Sequence, residues 1–532
     1  MVRYLCVLAC LLSVIAPVVA APAPAPLRVG CYYFPGWYSA DRWAPILEYG
    51  GREPVLGWYR DDLPAVQDWH IRQATQHGVS FWVFDWYYDH RTGTVLEHNA
   101  ALDKGFLNAS LNRKMDFALM WCNEEGGEPD YTEEQILRLA RTLGERYFRR
   151  PNHLRVGGRN VLVISRPDRL IKRFGAAGTR ELLRRMSEEV RPCGGLYAVC
   201  IQSPTAPVLT QMRDAGFDAC TLYCYSSHGM KPGQTSAPYA RILPEIVPLW
   251  RRAAQGRELP IIPAVSPGWD SRAWYGDAGL ARTDATPELF GQMCRALKQA
   301  VDPALGLALV GTWNEFGEGS YIEPTMARGC TMLDALQRAF FPKAALHKMV
   351  APTPAQRVAL QHPDIPAHLE EQIARQQGNL VINPGFEREW GWLTFANTPA
   401  EFVTDVAHSG RRSLRLTRAM GGAKSQALAP GVPWPFRAHN LAKLDCGRTH
   451  RVSAWVHGRA QVTAALYGAD GQWLRRYQPV TEGGRAGAWT KLEAVITIND
   501  PQAAAFDLEI VPVDDAIHVD DVGIWRMGGG AN

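Results

Sequence analysis

The sequence predicts an α/β chain with a (β/α)8 TIM barrel over 27–345, followed by an all-β jelly-roll sandwich over 379–528. Three observations lead there. Eight short runs rich in β-branched, aliphatic and aromatic residues lie between 28 and 313. Amphipathic helical patterns separate most of them. Beyond 379 the chain changes to short alternating runs with turn residues between them. Unbroken apolar runs suit strands buried on both faces of a parallel sheet, eightfold alternation with helices suits a barrel, and alternating runs suit antiparallel sheets.

Taken in order, strands are expected at Arg28–Phe34, Val79–Trp86, Met115–Cys122, Asn160–Ser165, Leu196–Gln202, Phe217–Cys224, Leu259–Ser266 and Gly306–Trp313. Helices are expected at Glu133–Arg149, where Ile136, Leu137, Leu139, Ala140 and Leu143 share a face, and at Thr179–Val190, Tyr239–Arg252, Pro287–Val301 and Thr325–Phe340. A doubly wound open sheet competes with the barrel, but no GxGxxG follows the first strand. The Pro-containing stretch 346–378 reads as a connector with a short helix near Pro366–Gln376. The runs NLVINPGFE, SLRLTRA, HRVSAWVHG, QVTAALYG, TKLEAVITI, AFDLEIVP and AIHVDDVGIW then supply the strands of the sandwich.

Composition narrows the function. At 46% apolar, 21% charged and +4 net, with signs mixed along the chain, neither nucleic acid nor an anionic membrane surface is indicated as a partner. Arg3, the apolar stretch Tyr4–Val19 and the small residues to Ala20 read as a signal peptide over 1–20, with an Ala/Pro spacer at 21–26. A secreted or periplasmic location is expected, with no membrane association after cleavage. Cys6 and Cys10 fall in that leader. The nine remaining cysteines are odd in number and lie mostly in apolar patterns, so they give neither a disulfide framework nor a zinc site. No metal or cofactor is implied; for calcium, Glu387 with Asp520 or Asp521 is an incomplete ligand set.

In a barrel of this kind the chemistry sits at the C-terminal strand ends. Tyr32, Tyr33 and Trp37 follow strand one; Asp85, Trp86 and Tyr87 strand two; Trp121, Asn123 and Glu124 strand three; and Arg166 and Asp168 strand four. Gln202 ends strand five, and Tyr225 and His228 follow strand six. Trp269, Asp270 and Arg272 follow strand seven, and Trp313, Asn314, Glu315 and Glu318 strand eight. The last group sits in GLALVGTWNEFGEGSYIEPT, where two carboxylates three residues apart stand beside an indole and a carboxamide. Carboxylates held close split their pKa values and so separate an acid from a base. An isolated ExxE is more often a solvated turn. At the eighth strand end, facing polar and aromatic residues from the others, it reads as a site.

CYYFPGWY, FWVFDWYY, PAVSPGWDSR and GTWNEFGEGSYIEP, in that order over Leu27–Ala339, resemble the glycoside hydrolase family 99 and WbsX-like superfamily, whose known members include endo-α-mannosidases. The resemblance implies a glycoside hydrolase acting on an oligo- or polysaccharide with α-linkages, mannose-containing glycans among them. It implies retention of configuration through a 1,2-anhydro sugar. Glu315 would be the base toward the sugar 2-hydroxyl, and Glu318 the acid toward the leaving oxygen. It also implies that Tyr32, Tyr33, Asp85, Trp121, Asn123, Glu124, Tyr225, Trp269, Asp270, Arg272, Trp313 and Asn314 bind substrate. Phe316-Gly317 departs from the family pattern, which usually has Trp or Tyr followed by a polar residue such as His. NLVINPGFE and VDDVGIW resemble carbohydrate-binding modules of the CenC type; glycan binding, with Trp390, Trp392 and Trp434 as candidate platforms, and bracing of the barrel, with those residues in the core, both stay open. A non-catalytic glycan-binding protein and a WbsX-like glycosyltransferase are the alternatives. The sequence leaves the oligomeric state open.

Overall fold

The computed structural model describes residues 25–47, 49–124, 131–256, 258–365, 378–381, 384–386, 393–394, 401–424, 449–468, 473–503 and 505–527. The expected leader, the expected helix near Pro366–Gln376, and Glu387, Trp390, Trp392, Trp434 and Cys446 lie outside them.

Eight parallel strands close a barrel. They are β1 (Arg28–Tyr33), β2 (Val79–Trp86), β3 (Asp116–Trp121), β4 (Arg159–Ile164), β5 (Leu196–Ile201), β6 (Ala219–Thr221), β7 (Ile261–Ile262 and Ala264–Val265) and β8 (Leu307–Val310). The ladder runs β1 to β6 in order; β7 pairs with β6 through its first half and with β8 through its second, and β8 returns to β1. Pro263 splits β7 because it has no N–H to give, yet its carbonyl still accepts from the Leu309 amide at 3.0 Å. β6 is shorter than the expected Phe217–Cys224 because the chain curls over the barrel mouth after Thr221, bringing the Tyr223 hydroxyl onto Asp85.

Pleat parity divides the side chains. Tyr32, Phe81, Val83, Ala118, Met120, Val161, Val163, Val199, Ala264 and Leu309 fill the lumen. Their chain neighbours Cys31, Tyr33, Trp82, Phe84, Leu119, Trp121, Leu162 and Ala308 pack outward beneath the helices. Helices α1 (Ala40–Leu47), α2 (Pro64–Gln76), α3 (Glu133–Leu143), α4 (Pro167–Glu189), α5 (Ala206–Asp214), α6 (Ile242–Gln255), α7 (Arg272–Tyr275), α8 (Pro287–Lys298) and α9 (Thr331–Phe340) connect the strands. α3 starts where it does because Thr132 and Gln135 form a reciprocal capping box. α4 begins twelve residues before the expected Thr179, crossing a kink at Gly175 (φ 71°). Between β2 and β3 a series of short 3-10 and π turns replaces a long helix.

The connector is partly built onto the barrel. Its helix α10 (Pro354–Leu360) inserts Arg357, 1% exposed, where it pairs with the buried Glu53. The C-terminal region is an antiparallel β domain with its own core, including Leu414, Val452, Val456, Val462, Phe506, Leu508 and Ile517. Its main strands are β9 (Ser413–Thr417), β10 (Thr449–Tyr467), β11 (Trp473–Thr497), β12 (Ala505–Pro512) and β13 (Ala516–Arg526). HRVSAWVHG and QVTAALYG form one strand, β10, with no turn between them. It shifts register at Gly458 (φ 113°), pairing with β13 before that point and with β12 after it, while β11 runs along its whole length. Asp520 and Asp521 brace the 408–409 loop: Asp520 accepts from the His408 and Ser409 amides at 2.8 and 3.1 Å, and Asp521 lies 2.7 Å from His408 Nδ1.

Removing one member of a buried ion pair leaves the other charge in a low dielectric, at about 3–5 kcal/mol. Arg357→Ala is expected to lower barrel stability by that amount in urea titration. A loss below 1 kcal/mol would mean that α10 is not a structural part of the barrel.

Candidate active site

A cleft of about 490 Å³ opens at the C-terminal strand ends. Its walls include Asp85, Glu124, Glu315 and Glu318, with Tyr87, Tyr223, Trp269, Trp274 and Tyr275 as the aromatic surface. Arg42 and Arg166 are its cations; Arg166 is engaged bidentately by Asp168 at 2.9 and 2.7 Å, and Arg42 contacts the His98 imidazole.

The turn after β8 is fixed from several sides. Asn314 is buried, accepts from the Phe34 amide at 2.9 Å and donates to the Phe34 carbonyl at 3.0 Å; its own carbonyl accepts from the Trp37 indole at 2.9 Å. Asn314–Glu315 pairs antiparallel with Ser320–Tyr321, and the Thr312 hydroxyl receives the Glu315 amide at 2.8 Å. Arg52 donates to the Phe316 carbonyl at 2.6 Å and pairs with Asp270 at 2.7 Å, while the Asp270 amide donates to the Glu318 carbonyl at 2.6 Å. Below the turn, Glu323 accepts from Tyr59 at 2.7 Å and lies 3.1 Å from His70, which meets Tyr33 at 3.0 Å. The indole of Trp313 packs on Trp82 and His70 in this buried layer.

The residues expected to bind substrate therefore divide. Asp85, Glu124 and Trp269 reach the cleft with Glu315 and Glu318. Tyr33 and Trp121 point outward into the helix layer, because each is one residue out of phase with a lumen-facing neighbour. Tyr32 is buried in the lumen against Tyr223, below the cleft walls. Tyr225 is buried and accepts from the Trp250 indole at 2.8 Å. Asn123 bridges strand ends, accepting from the Arg166 amide at 2.8 Å and donating to the Arg166 carbonyl at 2.9 Å. Asp270 and Arg272 pair with one another at 2.7 Å beside Arg52. Trp313 and Asn314 hold the turn from behind. None of these nine lines the cleft. Tyr87, Cys122, Tyr223 and Tyr275 do, and parity counted from Asp85 and Met120 would have found the first two.

Burial dominates the electrostatics. It pushes Glu315 up to about 7, against the Trp274 indole N–H at 3.4 Å, the Arg42 charge and two backbone amides that favour the ionised form. Burial and then the charges of Glu315, Asp85 and Glu124 push Glu318 up to about 9. Burial, followed by Glu315, also lifts Asp85 well above the carboxylate range, although Tyr223 donates to it at 3.1 Å. Asp270 shows the opposite balance: burial raises it, but Arg272 and Arg52 hold it below its ordinary value. The cleft thus keeps a proton on one carboxyl while a neighbour can ionise.

A carboxyl whose folded-state pKa exceeds its unfolded value weakens folding as pH climbs from the unfolded value toward the folded one. Asp85→Asn is therefore expected to raise Tm at pH 8, by about 2–4 °C for each kcal/mol relieved, with a smaller gain at pH 5. Calorimetry showing equal gains at both pH values would contradict a raised Asp85.

The family model described as "Glycosyltransferase WbsX" matches residues 48–336. The uncharacterized protein WxcX of Xanthomonas campestris pv. campestris, found in two strains, is 26% identical over 335 residues, which are 58% of this chain and 46% of the relative. The chain thus matches less than half the length of those curated relatives. Among solved structures, a glycoside hydrolase-like protein aligns with TM-score 0.45 and 18% identity, over 61% of this chain and 97% of that one. The GH99 endo-α-mannosidase from Bacteroides thetaiotaomicron aligns with TM-score 0.42 and 17% identity, over 60% and 98%. The CBM22-1 xylan-binding domain from Paenibacillus barcinonensis Xyn10C aligns with TM-score 0.22 and 16% identity, over 27% and 93%. With the matched segment covering more than half of its length and including Glu315 and Glu318, this chain belongs to the WbsX family.

Proposed function

We propose that the protein is an exported glycoside hydrolase that cleaves α-linked glycans, mannose-containing ones among them, with retention of configuration. The observation that carries this reading is the carboxyl pair on the β8 turn, two neighbouring acids in one cleft, with the Trp274 indole N–H beside Glu315 and the other carboxyls around Glu318. Glu315, the more easily ionised, takes the proton of the sugar 2-hydroxyl as O2 attacks the anomeric carbon. The bond to the leaving oxygen breaks, and Glu318 gives that oxygen its proton. The product left in the cleft is a 1,2-anhydro sugar. Glu318 then takes a proton from water as the water attacks the anomeric carbon, the bond from that carbon to O2 breaks, and O2 regains its proton from Glu315. Microscopic reversibility makes one residue acid and then base. Asp85 and Glu124 would accept sugar hydroxyls, and Trp269 would stack on a ring.

The family description names a glycosyltransferase, and that is the second reading. A nucleotide diphosphate would bring at least two negative charges to a cleft lined by four carboxyls, with one of its two arginines held by Asp168. The small positive charge available to a diphosphate favours the hydrolase. Titration calorimetry with nucleotide sugars separates the two, since tight binding would favour transfer.

Glu315→Gln and Glu318→Gln are each expected to lower kcat on an α-mannan oligosaccharide by about 10²–10⁴. Wild-type kcat/KM should be bell-shaped, with the Glu315–Glu318 pair losing a first proton near 7 on the rising limb and a second near 9 on the falling limb. Product anomers read by NMR should retain configuration. Unchanged turnover in both variants, or an inverted product, would remove the mechanism.

A further inference from the structure

Position 317 has no side chain, and the structure supplies a reason. A Cβ built on Gly317 would sit 1.8 Å from Cε2 and Nε1 of Trp274. The indole therefore lies directly against the catalytic turn, in the volume a larger residue would need. It is parallel to the Trp37 ring (interplanar angle 11°), and its N–H points to Glu315 Oε1 at 3.4 Å. Phe316, the preceding residue of the turn, faces away from the cleft into Trp37, Trp43 and Tyr321. Trp274 belongs to α7, a four-residue helix after β7 whose next residue, Tyr275, is 62% exposed and lines the cleft.

We propose that α7 is the specificity element of this cleft: Trp274 replaces a side chain at 317 as the group positioning Glu315, and Tyr275 gives a sugar ring its stacking face at the mouth. The proposal rests on the hydrolase reading above and deepens it. An indole in place of a polar side chain donates one hydrogen bond and accepts none, so Glu315 gains a donor without gaining a competing base. The groups facing Glu315 are Glu318 on its own turn, Asp85 and Tyr87 from the end of β2, Tyr223 after β6, Arg42 on α1 and Tyr275 on α7. Among the described residues, Trp274 is the one side chain that donates a hydrogen bond to the Glu315 carboxylate. The exposed phenol ring suits the apolar C–H face of a pyranose.

The test measures pH–rate profiles on an α-mannan oligosaccharide with the intact protein. Trp274→Phe keeps the ring and loses the N–H. Its acidic limb should move to higher pH, because the ionised form of Glu315 has lost a donor, and kcat should fall by about tenfold or less. Gly317→Ala, which displaces the indole, should move the same limb in the same direction. Tyr275→Ala should raise KM about three- to tenfold, with a smaller effect on kcat, and Tyr275→Phe should restore KM. An active wild type with unmoved limbs in both the 274 and 317 variants overturns the positioning role. A Tyr275→Ala variant with wild-type KM overturns the stacking face. A wild type that turns over no α-linked glycan removes the underlying hydrolase reading and this proposal with it.

Discussion

The constraint on which the rest of the structure depends is the crowding of Asp85, Glu124, Glu315 and Glu318 into one cleft. Like charges repel more strongly as the dielectric falls, and Asp85, Glu315 and Glu318 lose hydration on burial, so this arrangement opposes folding unless protons remain bound. A loop left to itself would splay the acids apart. The β8 turn is prevented from doing so by the double hydrogen bond of Asn314 to Phe34, by Arg52 on the Phe316 carbonyl, and by the Glu323–His70–Tyr33 chain beneath it. These contacts are buried or half-buried and lie on the far side of the turn from the cleft. They hold the carboxyls at close quarters without neutralising them.

This arrangement gives the neighbouring acids different work. Asp270 sits close by on the sequence-adjacent loop, but paired with Arg52 and Arg272 it stays ionised and holds the frame. Glu323 lies just beyond the same turn, yet its partners are Tyr59 and His70 in a closed polar chain. Glu315 and Glu318 have no arginine within ion-pair distance among the described residues. What separates a frame carboxylate from a reactive one here is its close side-chain partners, Arg52 and Arg272 on Asp270 and Tyr59 and His70 on Glu323, since all four are largely buried.

Much of the fold was legible because hydrophobic runs and periods report burial directly. All eight strands fall where the apolar runs lie, and the Gly-marked end of β8 places the acid pair. The site was less legible because strand ends alone do not say which way a side chain faces. Tyr33 and Trp121 stand at the correct height on the barrel but on the wrong side of the pleat, whereas Tyr87 and Cys122 are in phase with Asp85 and Met120. Trp313 and Asn314 share a motif with the acids but serve as their anchor, a distinction set by tertiary contacts 280 residues apart in sequence. The meaning of Gly317 was closed to sequence reasoning altogether, because it depends on where the α7 loop lays Trp274.

The central claim is that a carboxyl of the β8 turn keeps its proton at neutral pH. Infrared difference spectroscopy of the intact protein at pH 7.5 tests this directly, since a protonated carboxyl absorbs apart from an ionised one. The account predicts protonated-carboxyl absorption in the wild type, to which Asp85 also contributes, that loses intensity in Glu318→Gln. A wild-type spectrum with every carboxyl ionised at that pH, or a band unchanged by the substitution, would contradict it.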